Sequence, residues 1–303
     1  MFSVKTLDLP IPADQLNGYQ NLLEKSLWPC LQGYDPLEFE SSRIYAVGAH
    51  DTDLHTVGIA IAVERSHFHS AELLALSVAE PSRNKGIGTR LLTKLQEYIH
   101  KKGCVTLSAL YPIGQSISPV LEKIFSHLGW SPPKLRKIRL HFDQKSFHPP
   151  WVNIKYPLPK GFTIFPWTEL KKKEKERLWH LMEQGAIDIT VSPFKNKGQF
   201  EPTNSLGLRK NNEVIGWVIT LRPDSDTVEY ASVFIFPEYR YTGFSAYLLA
   251  ASIRLHLESP IQLGAADLFL NQVDSQWVRF VKNRLLPYAE KVERWNNTGI
   301  ILT

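Results

Sequence analysis

A strand–turn–helix pattern occurs twice in this chain, and this repetition is the feature that most restricts its fold. In each copy a glutamate lies in an apolar run, and an arginine eleven residues later opens a glycine-containing turn. The two copies are Glu72 with Arg83-x-x-Gly86-x-Gly88, and Glu229 with Arg240-x-x-Gly243-x-Ser245. They lie about 157 residues apart, whereas solenoid repeats have periods of roughly 20–50 residues. The sequence therefore predicts a duplicated domain rather than a solenoid.

The apolar periodicity and the turn residues predict the same order of elements in each half of the chain. In the first half the predicted elements are strands Ser42–Gly48, Val57–Val63 and Glu72–Val78, helix Gly86–Lys101, strand Cys104–Tyr111, helix Ser118–Leu128 and strand Lys137–Phe142. In the second half they are strands Ser205–Arg209, Val214–Leu221 and Val228–Phe236, helix Gly243–Leu257, strand Ile261–Leu270, helix Ser275–Leu286 and strand Thr298–Leu302. Each half is therefore expected to close on its own last strand.

The boundary between the halves is marked by prolines at positions 149, 150, 157 and 159. Proline can neither continue a helix nor donate to a strand ladder. This composition predicts a first domain over residues 1–145, a linker over 146–160 and a second domain over 161–303.

The composition excludes several classes of protein. Of the 303 residues, 43% are hydrophobic and 21% charged, which is typical of a globular protein. The net charge of +5 suits an anionic small ligand. The sequence has no basic stripe with stacking aromatics, so it does not indicate a nucleic-acid partner. The sequence contains no apolar run of about 18 residues, so it predicts no membrane span. The two cysteines, Cys30 and Cys104, show no metal or redox spacing and are expected to be buried. We expect a cytoplasmic protein.

The turn at residues 83–89 has the features of an anion-binding site. A strand leads into a tight bend whose amides open a helix, and such amides bind phosphate with the help of the helix dipole. Gly86 and Gly88 lack a Cβ atom, which lets a ligand approach the backbone closely, and Arg83 and Lys85 can add positive charge. The spacing fits neither a Rossmann fingerprint nor a P-loop. The bend predicts a phosphate or pyrophosphate site, with a plain turn as the alternative.

This motif resembles the acyl-CoA signature of the GNAT superfamily, Gln/Arg-x-x-Gly-x-Gly/Ala. The resemblance implies an α+β protein with two tandem GNAT-type domains, each a mixed, mostly antiparallel sheet flanked by helices. It implies acetyl-CoA or another acyl-CoA as co-substrate and no metal. The residues it implies for binding are Leu76, Val78, Arg83, Asn84, Lys85, Gly86, Ile87, Gly88 and Thr89 in the first half, and Arg240, Tyr241, Thr242, Gly243, Phe244 and Ser245 in the second.

The resemblance also implies catalytic roles. In the histone-acetylating branch of the superfamily, a glutamate at the offset of Glu72 is the general base, and Glu229 is its counterpart here. A strand amide near Leu76 would polarise the thioester carbonyl. The family's late-helix tyrosine, which protonates the leaving thiolate, is missing, because Phe125 and Val281 stand at its place. The catalytic set that we expect is Glu72, Glu229 and Tyr111, with Tyr288 as a further substitute for the missing tyrosine.

The expected activity is transfer of an acyl group from acyl-CoA to a primary amine by direct attack. The acceptor would be a small-molecule or peptide amine, and no nucleic acid or membrane partner is expected. A catalytically inactive CoA-binding scaffold or sensor is the alternative, and a fatty acyltransferase acting on a lysine or ornithine side chain of a peptide is a narrower one. His67 and His69 precede Glu72, but two histidines alone are more typical of a surface than of a metal site. Which half is active and the oligomeric state stay open.

Overall fold

The computed structural model of the protein describes residues 2–36, 42–65, 69–154, 157–194, 199–240, 242–271 and 275–303. The chain divides into two compact units of similar size. Unit 1 comprises Met1–Arg136 together with Arg294–Thr303, and unit 2 comprises Lys137–Glu293. Within the described ranges, no helix has the length and apolar character needed to cross a bilayer.

Unit 1 is a six-stranded sheet with helices on both faces. Its elements are β1 (Phe2–Leu7), α1 (Ala13–Gln20), β2 (Ser42–Asp51), β3 (Thr56–Arg65), β4 (Ser70–Val78), α2 (Ile87–Lys101), β5 (Thr106–Pro112), α3 (Ser118–His127) and, from the end of the chain, β12 (Lys291–Ile301). The strand order is β1-β2-β3-β4-β5-β12. The β4–β5 pair is parallel, and the other pairs described in this unit are antiparallel.

Two apolar layers cover the sheet of unit 1. Helix α2 is amphipathic, and Leu91, Leu92, Leu95 and Ile99 form its fully buried stripe at helical spacing. This stripe packs with alternate residues of β2 to β5 and with Phe125 of α3. The second layer, on the opposite face, draws its members from residues 7–31 and from β2, β3 and β4. The second layer therefore covers the β1–β4 part of the sheet.

Unit 2 repeats this architecture. Its elements are β6 (Lys134–Asp143), β7 (Phe162–Pro166), α4 (Lys172–Glu183), β8 (Leu206–Lys210), β9 (Glu213–Leu221), β10 (Thr227–Ile235), α5 (Phe244–Leu257), β11 (Leu263–Phe269) and α6 (Ser275–Phe280), which continues as a π-helical turn over Val281–Leu285. The strand order is β6-β11-β10-β9-β8-β7. Again one described pair, β10–β11, is parallel. Helix α5 packs on one face of this sheet, and an aromatic cluster around Trp217 packs on the other.

The two units exchange their last strands, which corrects the predicted domain limits. The strand predicted at Lys137–Phe142 was expected to close the first half, but it lies in unit 2 and pairs with β11. The strand predicted at Thr298–Leu302 lies in unit 1 and pairs with β5. The predicted linker, 146–160, lies within unit 2, where Trp151 and Val152 are buried. Apolar periodicity identifies a strand but not its partner, so the exchange could not be predicted from it.

Candidate functional site

In unit 1 the parallel strands β4 and β5 separate part of the way along their length. Their paired residues run from Ser70 opposite Thr106 to Leu73 opposite Ala109. Beyond this point β4 continues to Val78 and β5 to Pro112. The register of β4 against β3 also shifts here, between Leu73 and Ala75, which is the mark of a β-bulge at Leu74. The result is an opening on one edge of β4.

The backbone amides of Leu76 and Val78 face this opening. The next residue, Ala79, donates its N–H to the Val57 carbonyl at the end of β3, with 2.9 Å between N and O. Main-chain groups alternate in direction along a strand, so those of Leu76 and Val78 point away from β3. In agreement, the Val78 carbonyl accepts a hydrogen bond from Arg83 Nε at 3.2 Å. Strand β4 thus presents main-chain donors and acceptors towards the gap.

The bend after β4 has the geometry of an anion-binding nest. Asn84 and Gly86 both adopt left-handed conformations, with φ of 63° and 76°, and alternation of such residues turns successive amides inward. Gly86 is also the N-cap residue of α2, and no described side chain caps this helix end. Lys85 Nζ donates a hydrogen bond to the Pro81 carbonyl at 3.1 Å, which stabilises the bend. The first amides of α2 are therefore available for an anionic group.

The two glycines of the motif have different surroundings. A Cβ atom built on Gly86 meets no atom within 4 Å, so the space beside its Cα atom is open. A Cβ atom on Gly88 would lie 3.3 Å from Ile124 Cδ1 and 3.9 Å from Val78 Cγ2. Gly88 therefore allows α2 to pack closely on α3, whereas the sequence had suggested a role in ligand approach for both glycines. Ile87 points into the core with 3% of its surface exposed, and Thr89 is half-buried in the first turn.

Unit 2 contains the same backbone arrangement. The pairing of β10 with β11 ends at Tyr230 opposite Ala266, and the register against β9 shifts directly afterwards. Gly243 is left-handed, with φ of 84°, and no described side chain caps α5 at this residue. Arg240 Nε lies 3.5 Å from the Ile235 carbonyl, the counterpart of the 3.2 Å contact between Arg83 Nε and the Val78 carbonyl. The repeated motif therefore has a repeated geometry.

The remaining motif residues of unit 2 differ in their contacts from those of unit 1. Thr242 Oγ1 donates to the Tyr239 carbonyl at 2.6 Å. The ring of Phe244 stacks on Phe162 with 4.6 Å between centroids. Ser245 is half-buried, and Tyr241 lies outside the described residues.

The two predicted glutamates have different neighbours. Glu72 is half-buried in β4, opposite Val63 of β3 and next to Ser108 of β5. The carboxylate of Glu229 is held by the guanidinium of Arg139 on β6, with 2.6 Å between Oε2 and Nη2. The structure thus places Glu229 in an ion pair that the sequence analysis did not anticipate.

This ion pair is part of a larger network in unit 2. Asp267 of β11 accepts hydrogen bonds from Arg139 and from Lys137, each at 3.1 Å. Burial lowers the pKa of Arg139, but the carboxylates of Glu229 and Asp267 outweigh this and hold the pKa above its ordinary value. The alternation of basic residues at Lys137 and Arg139 on one predicted strand was the available sequence signal.

Tyr111, the predicted proton donor, is held against α3. Its hydroxyl donates to Glu122 Oε1 at 3.1 Å, and only 4% of the residue is exposed. Burial and the Glu122 carboxylate raise the pKa of Tyr111 to about 12. Phe125 is buried and stacks on Trp130, and Tyr288 in unit 2 packs edge-on against Phe147. The structure therefore adds Glu122 as a partner of Tyr111.

The histidine and cysteine predictions concern residues away from the bend. His69 is exposed, with Nδ1 3.8 Å from Glu64 Oε1, and His67 lies outside the described residues. Neither Cys30 nor Cys104 forms a disulfide, and both are buried, as expected. Burial and the nearby Glu64 carboxylate raise the pKa of Cys104 to about 11.

Comparisons with known proteins agree with the fold described above. Residues 16–112 match the model of the acetyltransferase (GNAT) family. A tandem GNAT protein from the clavulanic acid biosynthesis pathway superposes with a TM-score of 0.70 at 12% identity, over 100% of this chain and 99% of that one. A GCN5-related N-acetyltransferase from Sphaerobacter thermophilus superposes with a TM-score of 0.62 at 13% identity, over 99% and 96%. No curated protein matches the sequence.

The comparisons identify the fold of this protein. Its two units are tandem GNAT folds of the α+β class, each with one parallel strand pair in a mostly antiparallel sheet. The model of the acetyltransferase (GNAT) family matches within the first half of the chain, and the similar solved structures share the fold over nearly the whole chain.

Proposed function

We propose that the protein transfers an acetyl or other acyl group from acyl-CoA to a primary amine, with the donor bound in unit 1. The observation that carries this proposal is the continuity between two features of the backbone. The opening along β4 leads directly into the bend at residues 83–88, so one elongated ligand can contact both. An acyl-CoA has the matching shape, because its diphosphate suits the bend and its pantetheine arm can follow the strand edge.

The groups of this site suit acyl transfer by direct attack. The Leu76 amide would donate a hydrogen bond to the thioester oxygen as negative charge develops on it. An alkylamine has a pKa near 10, so it must lose a proton before its nitrogen can attack. Glu72 would accept that proton, directly or through water. The C–N bond forms, the C–S bond breaks, and the CoA thiolate leaves and takes a proton from solvent.

The comparisons support this activity only through the names of similar proteins. The Sphaerobacter thermophilus structure is described as an N-acetyltransferase, and the clavulanic acid pathway structure as a form without AcCoA. The alternative is a CoA-binding protein without catalysis. It is favoured by the absence of a tyrosine at position 125 and by the engagement of the Tyr111 hydroxyl with Glu122.

Calorimetry with acetyl-CoA on a matched pair of variants tests the proposal. Gly86 and Gly243 have similar φ angles, and a Cβ at either meets no atom within 4 Å. Replacing each by Glu therefore imposes the same strain and adds the same charge in front of a helix end. We expect Gly86→Glu to abolish binding and Gly243→Glu to preserve it.

The other outcomes of this experiment are equally informative. Loss of binding only in Gly243→Glu would move the donor to unit 2, and a wild-type chain that binds no acyl-CoA would contradict the proposed function. A thiol-release assay with a panel of amines then separates the enzyme from the non-catalytic alternative. If none of the amines increases thiol release, the non-catalytic alternative is favoured.

A further inference from the structure

One face of the unit 1 sheet brings together polar residues from three strands. Residues directly opposite each other on neighbouring strands point to the same face of a sheet. Glu72 of β4 is opposite Ser108 of β5, and Ser108 is opposite Gly299 of β12. Two residues further along β5, Leu110 is opposite Asn297. The exchanged strand β12 therefore forms one side of the surface next to Glu72.

This surface is accessible, whereas the reverse face of the same strands is not. The alternate residues Leu107, Ala109 and Thr298 are buried. Glu72 and Ser108 are only half-buried, as is Asn297. The apolar layer on this side of the sheet draws its members from residues 7–31 and from strands up to β4. A ligand can therefore reach the part formed by β5 and β12.

The polar groups on this surface are hydroxyls, one amide and one carboxylate. Ser70 and Thr106 have hydroxyls within hydrogen-bond distance of each other, and Ser108 adds a third next to Glu72. The Asn297 side chain donates to the Ala109 carbonyl at 3.2 Å, which fixes its amide on this face. The facing positions of β5 and β12 in unit 1 carry no charged residue.

Gly299 keeps space open at the centre of this surface. A Cβ atom there would lie 3.1 Å from the Leu107 carbonyl oxygen and 3.6 Å from Ser108 Cβ. A side chain at this position would therefore crowd the strand and cover the Ser108 hydroxyl. A glycine here leaves a notch beside the hydroxyl that is next to Glu72.

The same face of unit 2 is chemically different. There, Asp267 and Arg139 occupy the register positions of Leu110 and Asn297, and Ala265 occupies that of Ser108. The Glu229 carboxylate is satisfied by Arg139. The hydroxyl-rich surface is thus a property of unit 1, and the common fold alone does not produce it.

We infer that this face of unit 1 is the acceptor site and that it takes a small amine bearing hydroxyl groups. The inference rests on the proposed acyl transfer and names its substrate class. The Glu72 carboxylate attracts the ammonium form of the acceptor, and the Ser108 hydroxyl and Asn297 amide hydrogen-bond to its hydroxyl groups. An acceptor carboxylate would meet no cation at the paired positions of β5 and β12, so amino alcohols are favoured over amino acids.

Competing amines of matched shape test this inference with saturating acetyl-CoA. One series is serinol, its isosteric alkylamine pentan-3-amine and serine, and a second is an aminocyclitol with cyclohexylamine. We expect kcat/KM for the hydroxylated member to exceed that of its alkylamine or amino acid about tenfold, which is the effect of one or two hydrogen bonds. Equal or faster turnover of the alkylamines would overturn the inference.

Variants locate the effect on this surface. Ser108→Ala and Asn297→Leu should each lower kcat/KM for the hydroxylated amine about tenfold, leave the alkylamine unchanged and preserve the Kd for acetyl-CoA. Gly299→Val should abolish turnover of the hydroxylated amine. Thr227→Ala, which removes a half-buried hydroxyl from unit 2, is the control and should change nothing.

The possible failures are distinguishable. Equal losses for both kinds of amine in the Ser108 and Asn297 variants would contradict a role in recognising hydroxyls. If acetyl-CoA binds at the Gly86-dependent site but no hydroxylated amine is acylated, the inference is wrong. If acetyl-CoA does not bind at all, the proposed function itself is wrong. Thermal unfolding of each variant confirms that the fold is retained.

Discussion

The guanidinium of Arg139 lies 2.6 Å from the carboxylate of Glu229, although the sequence makes Glu229 the counterpart of Glu72. A carboxylate held in this way must break an ion pair before it can accept a proton from a substrate. In unit 1, Asn297 occupies the register position of Arg139 and carries no charge. The arginine that holds Glu229 therefore has no charged counterpart at the equivalent position of unit 1.

The first prediction compares Glu72→Gln with Glu229→Gln. Removing a general base that acts in the reaction lowers the rate about 10²- to 10⁴-fold, so Glu72→Gln should lower kcat while the Kd for acetyl-CoA stays unchanged. Glu229→Gln should retain kcat and lose about 1–2 kcal/mol of stability, because the partly buried charge of Arg139 would keep only one of its two carboxylate partners, Asp267. The rate of thiol release measures the change in kcat, and urea unfolding measures the change in stability. Equal loss of turnover in both variants would contradict the assignment of unit 1.

The second prediction concerns the exchanged strand. Deleting residues 294–303 removes β12 from unit 1, leaving the main-chain groups of β5 without a partner along one edge. Thr298 and Leu302 are also buried there. We expect the shortened chain to lose acetyl-CoA binding and to unfold without a cooperative transition for unit 1. Circular dichroism and calorimetry measure this, and unchanged affinity would show that the site does not depend on β12.

A designed chain provides the complement to this deletion. Residues 2–133 joined by a flexible linker to residues 291–303 contain all six strands of unit 1, whereas residues 1–145 contain five of them. The joined chain should fold and the simple fragment should aggregate. A well-folded fragment 1–145 would support the domain limits that the sequence suggested.

The local elements and the motif could be predicted from the sequence, because they depend on short-range patterns. The α2 stripe of Leu91, Leu92, Leu95 and Ile99 has helical spacing, and glycine at 86 suits a left-handed bend. The pairing of β5 with β12 could not be predicted, because it joins residues almost two hundred positions apart, such as Leu107 and Ile300. The Arg139–Glu229 contact escaped prediction for the same reason, since it depends on which unit receives β6.

The third prediction concerns stability in acid. His256 is buried, with Nδ1 3.0 Å from the Tyr230 hydroxyl and Nε2 3.1 Å from the Ile261 carbonyl. Burial lowers its pKa from the ordinary value of 6.5, an effect that the Ile261 carbonyl and Glu201 only partly oppose. The unfolded chain therefore takes up a proton more readily than the folded one. Stability should be constant above about pH 6.5 and fall as the pH drops towards the lowered pKa.

The size and origin of this effect can be measured by urea unfolding between pH 7.5 and 5. One histidine contributes at most about 1.4 kcal/mol per pH unit. His50 is also buried, with a pKa lowered first by burial and then by Lys5, and it should add to the slope. His256→Gln should reduce the slope without removing the His50 part. A slope that His256→Gln leaves unchanged would show that the effect arises elsewhere.

The last prediction separates direct attack from a covalent acyl-enzyme on cysteine. A thiol with a pKa of about 11, as burial and Glu64 give Cys104, is only about 0.1% thiolate at pH 8, and Cys30 is fully buried. Native protein should therefore resist a thiol reagent for many minutes, and both cysteines should react once urea unfolds the chain. Cys104→Ser and Cys30→Ser should each keep full turnover. Rapid labelling of either thiol, together with loss of thiol release from acetyl-CoA, would instead indicate a cysteine nucleophile. Direct attack, with Glu72 as the base for the amine, requires no such nucleophile.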